Sequence, residues 1–504
     1  MKHWTVLKSG TALAICMTGS TAFADISAQD VWGAWKDQMA QAGYAMSANE
    51  AMSGSTLTVS DINMTITLPQ DDGTVLVDLD RFEFVENGDG TVNVVVPSVM
   101  PIDVMVDSKS DGKVIAKAEY RSAGMTWTVA GVPDAMTHSQ MAPSITIALT
   151  GLEVDGKPVD LGQLEMTMND ISFQATMSKG ASLTQTQIGS ASGLTYVVDM
   201  TDPEGSGDRI NLRGSMQDLA FNGTSQTPEG VDMQDFAAAL AAGFGFDGSF
   251  SHGGGTTHIE VTGEGDEFRA DTSSTGATGR IAMNAGKLVY DLSGQGMKVD
   301  AFTSEMPLPI SFEMAESAFR LVMPLAKSDA IQGVELALKL GDFTMADMLW
   351  GLFDPTGQLP RDPATIELDL TGDVKLTHDL MDEKAMAQLG EMPPGELHAA
   401  KINTLTVRAA GAELTGDGAF TFDNTDLTSF DGLPRPQGVL NLMLVGGNGL
   451  LDKLVAMGFV PEDQAMGARM MMGLFAVPAG DDVLTSVIEV NEQGHVLANG
   501  QRLK

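Results

Sequence analysis

The stretch Thr56-Leu57-Thr58-Val59-Ser60-Asp61-Ile62-Asn63-Met64-Thr65-Ile66-Thr67-Leu68 decides the fold. Apolar and polar residues alternate through Val59, the phase slips at Asp61, and alternation resumes from Ile62. A period of two residues marks a strand with one buried face, and a one-residue slip marks a bulge, which bends a sheet. Downstream, Val75, Val77 and Leu79 alternate, a second slip falls near Asp80, and Phe82 and Phe84 follow. Asn87-Gly88-Asp89-Gly90 supplies a tight reversal, and Val92, Val94 and Val96 return. The spacing predicts antiparallel strands joined by hairpins.

Upstream the period is 3.6. Ser27 can cap a helix with Asp30 in its first turn, Val31, Trp35 and Met39 recur on one face, and Gly43 stops the pattern. Trp32 and Trp35 are expected to pack this helix onto a sheet rather than to anchor it in a membrane or ligand. Downstream the strand texture recurs over 144–152, 163–177, 193–200, 209–221, 256–270, 279–292, 311–323, 333–340, 364–376 and 402–422. Short helices are expected over 232–243, 344–353, 382–389, 449–457 and 463–475, with closing strands around 483–490 and 495–503. Segments 152–159 and 495–503 echo each other: each has a short strand, Asp-Gly or Asn-Gly, and a second short strand, as in a type I′ hairpin. The expected fold is mainly β (β-rich α+β), built from long curved antiparallel sheet with several short packed helices. It is arranged either as two similar halves, 25–245 and 246–504 with the helical insertions in the second, or as one long sheet.

The N-terminus reads as an export signal. Lys2, His3 and Lys8 precede an apolar run over 11–18, and Ala22-Phe23-Ala24 offers an A-x-A cleavage site, so 1–24 is expected to be removed after Ala24 and the protein to work in the periplasm. Leu13-Ala14-Ile15-Cys16 is the competing lipoprotein reading; Ile15 fits it poorly, because that position is normally small. Cys16 is the single cysteine, so after cleavage no disulfide could form and the core must hold the fold. The formal charge is −38, from 67 acidic and 29 basic residues, with the acids scattered through a chain that is 43% hydrophobic. That balance opposes nucleic acid and broad adhesion to anionic bilayers, and it describes a folded chain with an acidic surface rather than a disordered tail. The most apolar later window, 439–459, is interrupted by Gly446-Gly447-Asn448-Gly449 and Asp452-Lys453, so no transmembrane helix is expected.

Chemistry-bearing motifs are weak. Gly151 to Lys157 has phosphate-loop spacing, but Pro158 stands where Ser or Thr must hold magnesium, and strands flank it. Gly243-Phe244-Gly245-Phe246-Asp247-Gly248 follows a helix where a dinucleotide site needs a strand before it. His252 and His258 lie six apart across a glycine run, acidic turns at 86–90 and 199–208 lack the calcium-loop pattern, and no G-x-S-x-G occurs. No catalytic, cofactor-binding or metal residues are assigned, and no enzyme activity or cofactor is expected. The 33 methionines, with Met470-Met471-Met472 in one helix, read as core filler or as an adaptable apolar surface.

One stretch is more specific. Asp347-Met348-Leu349-Trp350-Gly351-Leu352-Phe353-Asp354-Pro355 leads into Leu359-Pro360-Arg361-Asp362-Pro363-Ala364-Thr365-Ile366-Glu367-Leu368-Asp369-Leu370-Thr371-Gly372. It resembles the central signature of the exported alphaproteobacterial proteins grouped as domain of unknown function 2125, and the closing 494–503 is similar to that family's last strand pair. The resemblance implies a periplasmic, β-rich protein and no established activity. Physically, Trp350, Leu352 and Phe353 form an apolar cluster, while Pro355, Pro360 and Pro363 fix extended turns. Arg361 is expected to clasp Asp354, Asp362 or Asp369 at a value of about 1–2 kcal/mol. The functional expectation is a carrier sheltering a lipid-like ligand in a bent sheet, with residues not yet assignable; the alternative is an envelope scaffold acting on a protein partner.

Overall fold

The structure is a computed structural model that describes residues 25–504 except 42, 69–72, 110–111, 160, 202–206, 232–234, 264, 307 and 391. The expected export signal with Lys2, Lys8, Cys16 and Ala24 therefore lies outside the described residues, as do parts of the 199–208 turn and of the expected 232–243 helix. The chain is 65% strand and 12% helix. Its helices are α1 (Ala28–Gln41), α2 (Phe236–Ala241), α3 (Asp347–Phe353), α4 (Glu383–Leu389), α5 (Gly447–Ala456) and α6 (Glu462–Phe475). Among the described residues its strands form one 27-stranded sheet in which every pairing is antiparallel. Arg209–Pro228 pairs with both Gly245–His252 and Gly254–Gly263, so the sheet runs unbroken through residue 245.

Strand lengths exceed the sequence reading. The strand expected over 144–152 is Ala135–Val154, because Thr126–Val132 pairs with its first part and Gly112–Ala123 with its last. Twenty residues at about 3.3 Å each span roughly 65 Å, several times an ordinary strand. The helix expected from 344 starts at Asp347, because Thr344 and Met345 stay paired with Glu313 and Phe312.

A crease divides these strands. Pairing passes from Ser60↔Arg81 to Ile62↔Leu79, leaving Asp61 and Asp80 between; it passes from Asn169↔Gly193 to Ser172↔Ser190 around Asp170. It passes from Ala191↔Leu219 to Gly193↔Gln217 around Ser192 and Asp218, and Ser192 Oγ donates to Asp170 Oδ2 at 2.7 Å. Asp61, Asp170, Asp218 and Asp342 all hold left-handed backbone, with φ of 51°, 47°, 51° and 52°. Aspartate tolerates this region better than most residues. Each such residue shifts the alternation by one, so that apolar side chains on both sides of the crease turn to the same side. That is the reading of Asp61 in the sequence, repeated strand after strand. At Asp80 the strand keeps its register, and beyond it Gly73–Glu86 changes neighbour from Val92–Val95 to Val99–Ser108.

The result is a folded sheet with an apolar inner face. At its N-terminal end α1 lies in the fold. Ser27 Oγ accepts from Asp30 N at 3.2 Å, Ser27 N donates to Asp30 Oδ2 at 3.0 Å, and the helix starts there as expected. Trp32, 2% exposed, lies against Phe84, and Trp35 against Phe82, Phe84 and Trp127, so both tryptophans pack the helix onto the sheet. The core cluster runs from Ile26 to Met136. Beyond it the sheet is largely one layer thick. The accessible area of 28924 Å² stands far above the roughly 18,000 Å² of a compact monomer of this mass.

Directly paired residues share a face. One row therefore runs Phe173, Gly189, Phe221, Phe250, Gly279, Leu292, Phe319, Leu338, Leu368 and Leu405, strand to neighbouring strand, with no polar member. Ten strands at about 4.8 Å make it roughly 45 Å long. The opposite face carries charge: Arg320 bridges Asp291 and, at 2.7 Å, Glu335, while Lys339 reaches Glu316 at 2.6 Å. From Gln332 onward the strands barely pass the crease, and α5 and α6 stand over the inner face instead. Asp482 fixes the start of α5 by accepting from Asn448 N at 3.0 Å and Gly449 N at 2.8 Å.

Candidate functional site: an apolar groove along the crease

The groove is resolved into three hollows. The first, about 350 Å³, lies between α1 and the sheet, bounded by Trp32, Trp35 and Met39 above and by Ile62, Met64, Leu79, Phe82, Trp127, His138 and Phe173 below. The second, about 450 Å³, follows along the crease and shares Phe173; Met168, Ile171, Met216, Leu219, Phe221 and Phe250 line it. The third, about 460 Å³, is held at the far end between Leu414, Leu442, Leu444 and Leu484 of the sheet and Met471, Met472 and Phe475 of α6. Residues from both sides of the crease meet in the first two, which is the work of the left-handed aspartates.

Ring placement gives the second hollow its depth. A Cβ on Gly279 would come within 2.3 Å of Phe250, and one on Gly189 within 3.1 Å of Phe173. Each ring therefore lies flat over a glycine of the next strand instead of standing into the groove. Phe221 and Phe250 remain 40% and 47% exposed. Burying such surface against an apolar ligand is favourable at about 25 cal/mol per Å².

His138, 5% exposed, is the titratable group of the first hollow. Burial pushes its imidazole down to about 4. Its folded value is below the ordinary 6.5, so its neutral ring supports stability fully above about pH 6.5. That support is lost as the pH falls from 6.5 towards 4, where only the unfolded chain takes up the proton. The expected loss is about 3 kcal/mol. Urea unfolding at pH 7.5 and 4.5 should show it as a difference between the native protein and His138→Gln; equal pH dependence in the two would refute it.

The signature residues gather elsewhere, around α3. Asp354 is fully buried, and although burial alone would raise its pKa, the backbone N–H groups of Gln358, Leu359 and Gly357, with Arg361 nearby, hold it below the ordinary carboxylate value. Asp354 Oδ1 accepts from Gln358 N at 2.9 Å and Oδ2 from Leu359 N at 2.7 Å, which closes the turn containing Pro355. Arg361 does not form the expected clasp: it pairs with Asp347, in the first turn of α3, and not with Asp354, Asp362 or Asp369. The reversal through Pro355 and Pro360 carries it back beside that turn. Trp350 is half-buried, but Phe353 is 55% exposed and Leu352 52%, so the apolar cluster is not packed as a unit. Asp362 and Pro363 are exposed, and Pro360 packs beside Gly411. With Asp347 86% exposed, Arg361→Ala should cost no more than about 0.5 kcal/mol, below the sequence expectation. Asp354→Ala, which strands two backbone donors, should lower Tm clearly more; matched melting curves of the two variants decide it.

The discounted motifs sit in ordinary places. Gly151 to Lys157 lies in a hairpin whose Asp155 and Gly156 have φ of 51° and 75°, and Asn499 and Gly500 repeat this at 48° and 80°, both type I′. His258 meets Asp271 at 2.7 Å on the sheet. Among the described residues no three His, Cys, Asp or Glu side chains come together as a metal site, and no helix is long and apolar enough to cross a membrane. Sequence reasoning left the groove lining unassigned. The signal for part of it was present: Leu164, Met166 and Met168 alternate, Asp170 breaks the phase, and Ile171, Phe173, Ala175 and Met177 resume it.

A long creased antiparallel sheet with an apolar inner face places the chain among mainly β proteins with an open groove. Residues 245–492 match the model of a family described as an uncharacterized protein conserved in bacteria (DUF2125), and through this segment the chain belongs to that family. The matched segment contains the signature around α3; the end capped by α1 lies outside it. No curated protein and no solved structure matches the chain.

Proposed function

We propose that this is a periplasmic binding or carrier protein that shelters an apolar, lipid-like ligand in the creased groove. The observation that carries the reading is the uninterrupted apolar row from Phe173 to Leu405, much of it uncovered, on a sheet whose opposite face is charged. A sheet of this area normally buries its apolar face against a second layer. Here α1 and the α5–α6 pair cover only the ends, and acyl chains laid end to end along the row have the chemistry to cover the rest. The export signal expected over 1–24 places the protein in an aqueous space where lipids need shelter.

Native mass spectrometry and organic extraction of protein purified from its own periplasm test this. Reproducible bound lipid, and saturable binding of the apolar fluorophore 1-N-phenylnaphthylamine to the stripped protein, are expected. Lipid-free protein that also fails to bind the fluorophore, together with a stoichiometric cross-linked protein partner, would overturn it in favour of an envelope scaffold.

A further inference from the structure

The hollow beneath α1 differs in kind from the rest of the groove. Gln38, Gln140, Gln185 and Gln187 line it, and among the described residues its lining contains no Lys, Arg, Asp or Glu. Pairing explains the grouping: His138 is opposite Ala175, which is opposite Gln187, while Gln140 lies between Trp127 and Phe173. Amide side chains offer donors and acceptors without charge.

His138 adds an unmet requirement. Trp127 Nε1 donates to His138 Nδ1 at 3.3 Å, so in the neutral ring the proton is on Nε2. That Nε2 is buried and has no hydrogen-bond partner among the described residues. A buried donor left unmet is costly, and native proteins rarely keep one without a purpose. The adjoining hollow repeats the feature: His252 lines it, and its buried Nδ1 also lacks a partner among the described residues.

We propose that the ligand is an uncharged, ester-bearing lipid of the acylglycerol kind, with its head among His138 and the four glutamines and its acyl chains along the crease past Phe173. The inference rests on the groove reading above and names the ligand class. A turn of the His138 ring, whose Nε2 is closed to solvent as it stands, brings that proton to an ester carbonyl, and glycerol hydroxyls exchange hydrogen bonds with the glutamines. A carboxylate or phosphate would enter a hollow with no cation to offset its lost hydration, which is strongly unfavourable. A bare hydrocarbon would leave His138 unmet. Phe173, common to both hollows, marks the path from head to chain.

The test is displacement of 1-N-phenylnaphthylamine from the full chain at pH 8 by dioleoylglycerol, oleate and dioleoylphosphatidylglycerol, each delivered from cyclodextrin. Dioleoylglycerol is expected to displace the fluorophore at least tenfold more effectively than the two anions. His138→Asn keeps an acceptor for Trp127 near the Nδ1 position and removes the Nε2 donor; measured against the variant's own fluorophore affinity, it should weaken dioleoylglycerol about tenfold. His138→Gln, which places an amide donor near the Nε2 position, should restore most of the preference. If the native protein fails to bind the fluorophore, the groove reading falls and this inference with it. If the fluorophore binds but the anions compete as well as the glyceride, or His138→Asn keeps the native preference, the groove stands and the assignment of the head is overturned.

Discussion

Replacing Trp32 by alanine should destabilise the protein by about 3–5 kcal/mol, among the largest losses available from one side chain. Trp32 is 2% exposed and lies at the centre of the core that joins α1 to the sheet. Its ring contacts Trp35 and Phe84, and its Nε1 donates to Glu50 Oε1 at 2.7 Å. Alanine removes the packing and leaves a void that strands on either side, held by their ladders, cannot close. The same change also removes one of Glu50's two donors; Lys36 remains at 2.8 Å. Among the described residues the core cluster lies between residues 26 and 136, so the loss falls on the packing that holds this end of the protein together. Denaturant titration of Trp32→Ala and Trp32→Phe reads this directly. A loss under about 1 kcal/mol in the alanine variant would show that α1 is only loosely applied to the sheet.

The second large effect is on binding. Phe250→Asp should leave Tm within a few degrees of native yet weaken binding of an apolar fluorophore by tenfold or more. Phe250 is already 47% exposed, so its contribution to folding is modest. Its place is decisive for a ligand: it is opposite Phe221, lies over Gly279 and forms the wall of the second hollow. A carboxylate there must be stripped of water whenever an acyl chain lies against it, a cost of several kcal/mol without a partner. Phe250→Leu keeps an apolar wall and should bind nearly as the native protein does. Native affinity in the aspartate variant would place the ligand elsewhere.

Much of the fold was legible in the sequence because strands write their faces into period two. The helix at Ser27, the type I′ hairpins at Asp155-Gly156 and Asn499-Gly500, and the bulge at Asp61 each rest on local rules involving only a few neighbouring residues. Strand lengths were less legible. In Ala135–Val154, the residue Pro143 and the phase change beside it hid the first half of a single strand. Arg361 was misread for a related reason: in an acidic stretch its nearest carboxylates in sequence are several, and the reversal through Pro355 and Pro360 brought Asp347 to it instead.

The sequence by itself determined the mainly β class, the punctuation by short helices, the acidic outer surface and the periodic apolar residues that require burial. Only the tertiary structure decided what those residues bury against. Alternation states that one face avoids water and says nothing of whether a second layer, a helix or a ligand covers it. Register between strands far apart in sequence aligns Phe173, Phe221, Phe250 and Phe319 into one row, and the left-handed aspartates bring the two sides of the crease into one groove. The same pairing brings His138 and Gln140 of one strand near Gln185 and Gln187 of another, and α1 adds Gln38. Such proximity arises from hydrogen-bonded neighbours tens of residues apart, so no local pattern could encode it.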